Sequence, residues 1–127
     1  MLYVKEAQGS VDEVCKKVEA AAAANRFGVL GTIDLKARMN AKGVAFGPEV
    51  RVVEVCSPTH AKMALEAGMV ISTALPCRIS VYQEGGKVQV ATLRPTVLLD
   101  MFGKPGLNQL AQEVEAVIVG IIDTACR

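Results

Sequence analysis

The chain has no tryptophan, only two tyrosines and three phenylalanines, and a single histidine. A core without large aromatics has to be built from Val, Ile, Leu and Ala. One histidine also excludes every motif that needs two, HExxH among them. The four cysteines, Cys15, Cys56, Cys77 and Cys126, stand singly, without a CxxC pair, which excludes metal modules built on paired short spacings and secreted disulfide frameworks. No run of about 18 uncharged apolar residues occurs, so no spanning helix and no membrane partner are expected. An excess of charge is missing too: 14 Lys and Arg stand against 13 Asp and Glu, for a net charge of +1. That balance gives no electrostatic case for nucleic acid as a partner. GxGxxG and Walker patterns are absent, as are a Ser/His/Asp order and any internal repeat. The first residues, MLYVKEAQGS, hold no apolar signal core, so a cytoplasmic, reducing compartment is expected.

What is present points to one domain over residues 1–127, large enough for a real core. LYVKEA reads as a short first strand. Ser10-Val11-Asp12-Glu13 is a capping box, and the helix it starts carries Val11, Val14, Cys15, Val18, Ala21 and Ala22 on one face. Cys15 on that stripe reads as core packing. FGVLGTIDL reads as a strand whose two glycines predict a bend or a close backbone approach. The connection from Lys36 to Pro48 is crowded by Lys36, Arg38 and Lys42, which read either as a solvated loop or as an anion-binding rim.

The segment from Val50 to Tyr82 organises the rest. Its first strand, ending at Cys56, is apolar on both faces, as in a strand covered on two sides. Ser57 is placed as an N-cap, Pro58 suits the first helical position, and Gly68 supplies the exit. The apolar run GMVISTALP has too few turn residues for an exposed loop and is expected to cover a pocket or an interface. Cys77 to Gln83 and Lys87 to Leu93 form a hairpin through Gly85-Gly86, with Val81 opposite Val90 and Ile79 opposite Thr92. The last helix, about residues 106–125, is apolar over more of its girth than one sheet needs. That excess, with Val119 at its margin, predicts a second neighbour, read as a homodimer partner through a two-fold pair of these helices or of the sheets.

RVVEVCSPTHAKMALEAG followed by LPCRISVYQEGGKVQVATLRP resembles the domain of unknown function 302 family. The family pattern is a Val/Leu-rich strand ending in Cys-Asn-Pro, an Ala-rich helix, then Leu-Pro-Cys leading into a Val-Tyr strand. Ser57 stands here for the usual Asn. The resemblance covers roughly residues 1–100. It implies a two-layer α+β fold of the β-α-β(4)-α kind, with an antiparallel sheet of about four to five strands packed with helices, commonly as a dimer. It implies no particular activity.

The matching positions make Cys56, Ser57, His60 and Cys77 the site candidates. A thiol just ahead of a helix N-terminus is expected to gain thiolate character from the free amides. Cys56 and His60 offer a soft and a borderline ligand for copper(I), zinc or haem iron, and Met63 and Met69 could add thioethers. Each also has a plainer reading, as a packing, capping or surface residue. Two functions follow from these residues. The first is a non-catalytic binding module for a small ligand, metal or haem near Cys56, His60 and Cys77. The second is a thiol redox or sulfur-transfer protein using Cys56 with Cys77. The thiols are the only nucleophiles the sequence singles out, and no catalytic residue is assigned.

Overall fold

The capping box predicted at Ser10 forms in full. The Ser10 hydroxyl accepts from the Glu13 amide at 3.1 Å, and the Ser10 amide donates to the Glu13 carboxylate at 3.2 Å. In the computed structural model, which describes residues 1–127, this box opens helix α1, Val11–Ala24, directly after strand β1, Leu2–Ala7. Strand β2, Gly28–Asp34, leads into helix α2, Leu35–Ala41, which Asp34 caps by accepting from the Ala37 amide. Strand β3, Val50–Cys56, is followed by helix α3, Pro58–Ala67, and by a 3-10 helix, Met69–Ala74. Strands β4, Cys77–Glu84, and β5, Lys87–Leu93, precede helices α4, Pro95–Asp100, and α5, Leu107–Ala125.

The five strands make one antiparallel sheet in the order β1-β5-β4-β3-β2, so the fold is α+β as the sequence predicts. The β2–β3 register shifts between Val29 and Gly31, the bend that the glycines foretold. Strand alternation turns Val53, Val55, Ile79, Val81, Val88 and Val90 toward α1 and α5, where all six are buried. Leu2, Val4 and Leu93 alternate to the opposite face and stay about half exposed. Arg51 leans to the helical side and meets Asp12 of α1 at 2.8 Å, tying β3 to that helix. Lys36, a member of the basic stretch, pairs with Glu49 at 3.3 Å.

The hairpin turns where expected. Gly85 and Gly86 both have positive φ, 60° and 77°, and Val81 lies opposite Val90. The ladder, however, ends one step early. It stops at Ser80–Ala91, so the predicted Ile79–Thr92 pair does not form. The Thr92 hydroxyl instead donates to the Arg78 carbonyl at 2.8 Å, satisfying by side chain what the ladder leaves open. At this end β5 stays with β1, pairing Leu93 with Leu2, while β4 stays with β3, pairing Cys77 with Val55. The two strands part.

Helix α5 also corrects an expectation. Its wide apolar girth does find a second neighbour, but within the chain: α1, α3 and α4 all pack against it. Ile118, Ile121 and Ile122 are fully buried, and Val117 and Val119 are half-buried. The apolar width of α5 is met by these helices and is no argument for a partner helix there.

A cleft where β3 hands over to α3

The residues that the sequence singled out come together. Cys56 ends β3, Ser57 precedes α3, His60 lies in the first turn of α3, and Cys77 opens β4; all four line one cavity of about 310 Å³. The wall is mostly apolar, with Phe27, Ala64, Leu75, Leu99, Leu110 and Val114 among its side chains. As the sequence predicts, the apolar run before β4 contributes to it, through Ala74, Leu75 and Pro76. Lining residues come from both faces of the sheet: Thr92 and Cys77 from the helical side, and Leu2, Ser80, Ala91 and Leu93 from the other. This happens where the β4–β5 ladder has ended.

Ser57 does not act as the cap its position suggests. Its hydroxyl makes no capping hydrogen bond to the α3 backbone. It lies 2.7 Å from His60 Nδ1 and 3.2 Å from the Thr59 hydroxyl. The imidazole competes successfully with the helix amides for the serine oxygen, because the i, i+3 spacing brings the ring over the helix start. The other ring nitrogen, Nε2, faces a Glu113 carboxylate oxygen of α5 at 3.4 Å. Phe27 braces the ring, with centroids 6.0 Å apart and planes tilted by 37°. Ser57 itself is buried, whereas Glu113 is exposed.

The thiols behave opposite to the helix-dipole expectation. Burial raises the Cys56 thiol above its ordinary value rather than lowering it. Burial pushes Cys77 up to about 11, with the neighbouring Cys56 adding to the rise. Cys56 lies one residue ahead of the cap, and Pro58 at the first helical position has no amide to offer, so desolvation outweighs the helix end. All four cysteines are free.

No group of three or more His, Cys, Asp or Glu side chains is arranged to hold a metal ion. Cys56 and His60 share the cavity wall, but Met63 and Met69 do not reach it and are largely exposed. Sequence reasoning missed Glu113, Phe27 and Thr92. No signal marked Glu113, a carboxylate on an ordinary polar face of α5. Phe27 was readable as a large apolar residue at the entry of β2.

A five-stranded antiparallel sheet with one helical layer, and an apolar cleft where its third strand meets a helix, defines a small α+β cleft protein. The chain belongs to the family described as "Domain of unknown function DUF302", whose family model matches residues 3–125. It is similar to the crystal structure of uncharacterized conserved protein DUF302 from Bacillus stearothermophilus. The TM-score is 0.92 at 28% sequence identity, covering 99% of this chain and 98% of that one. No curated protein matches the chain. No helix is long and apolar enough to cross a membrane.

Proposed function

We propose that the cleft binds a small, largely apolar molecule, with its polar end directed to Ser57 and His60. The observation that carries this reading is the cavity itself: about 310 Å³, walled mainly by aliphatic side chains, with few polar groups, of which Ser57 and His60 are hydrogen-bonded together at the start of α3. Ligand sites are typically of this kind, about 300–1,000 Å³, apolar, with few orienting polar groups. A volume at the lower end of that range favours a small molecule over a macrocycle as large as haem. A metal ion has less support, since Cys56 and His60 have no third ligand beside them. Thiol chemistry through Cys56 and Cys77 has less support as well, because burial raises both thiols and so depletes the reactive thiolate.

The proposed assembly is a homodimer. The face that supports it is the side of the sheet turned away from α1 and α5, where Leu2, Val4 and Leu93 are exposed.

The cleft reading is tested by titrating the protein with an uncharged solvatochromic dye. Expected is a blue-shifted, brighter emission that saturates, and that is lost in Ala61→Phe, whose ring would fill the cavity from α3. An unchanged spectrum at micromolar protein, or equal binding by the variant, overturns it.

A further inference from the structure

The polar end of the cleft carries more than a binding handle. We infer that Ser57 is a nucleophile with His60 as its base, and that the cleft hydrolyses small carboxylic esters bearing an apolar acyl group. The inference rests on the cleft reading, since the same apolar wall would seat the acyl chain.

A Ser at the start of a helix normally turns its hydroxyl to the helix amides, which is worth about 1 kcal/mol. Ser57 does not; it is bonded to an imidazole nitrogen at 2.7 Å and lines the cavity. Nucleophile and base within such reach, with the base oriented by a third group, is the arrangement that activates a hydroxyl. Here the third group is Glu113, 3.4 Å from the far ring nitrogen. A proton on Nε2 directed at that carboxylate leaves Nδ1 with its lone pair toward Ser57, the tautomer a base requires. Glu113 is therefore a positioning residue, acting through His60. Catalytic contacts of this sort are often longer in a free protein than in its substrate complex.

The start of α3 also leaves backbone donors free. The Thr59 and His60 amides have no backbone or side-chain acceptor, because they lie in the first turn of α3 and Ser57 does not cap them. Unpaired amides at a helix start favour the negative oxygen that develops when a hydroxyl adds to a carbonyl.

The chemistry balances with water alone as co-reactant. The Ser57 oxygen attacks the ester carbonyl while His60 Nδ1 takes the hydroxyl proton. The carbon–oxygen bond to the leaving alcohol breaks, and the alkoxide collects that proton from His60. A water molecule then attacks the acyl-serine, His60 again accepting a proton and returning it to the Ser57 oxygen. The products are one carboxylic acid and one alcohol, with no change of oxidation state.

The test uses the full chain with p-nitrophenyl butyrate and a fluorophosphonate probe. Expected are steady ester hydrolysis and a single phosphonate adduct that peptide mass spectrometry maps to Ser57. The Ser57→Ala variant should lose the adduct and at least about a hundredfold in rate. Glu113→Gln should slow hydrolysis and move the rising limb of its pH profile. Because the adduct is read on the unaltered protein, a poorly folding variant does not blunt the test. No adduct on Ser57, a rate unchanged in Ser57→Ala, or labelling confined to Cys56 or Cys77 overturns the assignment. Dye binding without an adduct would sink the catalytic assignment alone, leaving the cleft as a receptacle. Absence of both would remove the cleft reading with it.

Discussion

The Ser57 hydroxyl and His60 Nδ1 lie 2.7 Å apart, so α3 begins without a side-chain cap while α1 begins with a complete capping box. The two serines should therefore answer differently to the same substitution. Ser10→Ala should lower stability by about 1 kcal/mol, the usual worth of an N-cap. Ser57→Ala should leave helix content intact and change instead the nitrogen chemical shifts of the His60 ring. Equal losses of helix in both variants, read by far-ultraviolet circular dichroism under mild denaturant, would contradict this.

Leu110 is buried on α5 and also lines the cleft. Leu110→Ala should destabilise by about 2–5 kcal/mol through lost burial and a larger void. The enlarged cavity should also admit a bulkier dye than the unaltered protein accepts. Urea denaturation and the dye titration check the two halves separately.

Cys77 gives a pH dependence. Its thiol ionises at about 11 in the folded chain against an ordinary 9.0, because burial disfavours the thiolate. A raised folded value means that the neutral thiol stabilises the fold below the unfolded value, and that this contribution is lost as pH rises between the two. At about 1.4 kcal/mol per tenfold change, the loss amounts to on the order of 2–3 kcal/mol. Cys77→Ala should thus show a smaller fall in stability between pH 9 and about 11. Cys15, buried on α1 and likewise pushed up to about 11, keeps its own share of the fall in that variant. Parallel stability curves for variant and parent would refute the assignment.

The proposed dimer face makes a prediction of its own. Val4 on the open face of the sheet is 48% exposed, and Val119 on α5 is half-buried among the helices. Light scattering at micromolar concentration should give twice the chain mass, and Val4→Lys should reduce it toward one. A monomeric mass for the parent chain would dismiss the dimer.

The sequence made the local features legible wherever one residue type does one job. The capping box, the Gly85-Gly86 turn, the register at Val81–Val90 and the apolar stripe of α1 all follow from short-range chemistry. The sequence singled out Cys56, Ser57, His60 and Cys77 but left open whether Cys56 and Cys77 lie close; the pairing of Cys77 with Val55 across β3 and β4 brings them to one cavity. What escaped depends on partners distant in sequence. Glu113 reaches His60 only because α3 and α5 pack together. The serine's choice of imidazole over backbone is a competition that cap statistics do not contain. The girth of α5 was read correctly, but α1, α3 and α4 cover it, which no period along α5 itself reveals.

The parting of β4 and β5 beyond Ser80–Ala91 has a consequence for motion. Sheet interiors are usually the slowest regions to exchange amide hydrogens, because opening them means breaking a continuous ladder. Here Arg78 has no partner in the β4–β5 register, and the Thr92 hydroxyl reaches across to the Arg78 carbonyl. Deuterium should therefore enter at Arg78 well before it reaches Val81 or Val90 on the same two strands. Early exchange there would mark the cleft end of β4 as the place where the sheet opens first, because Cys77, Arg78 and Thr92 all line the cavity.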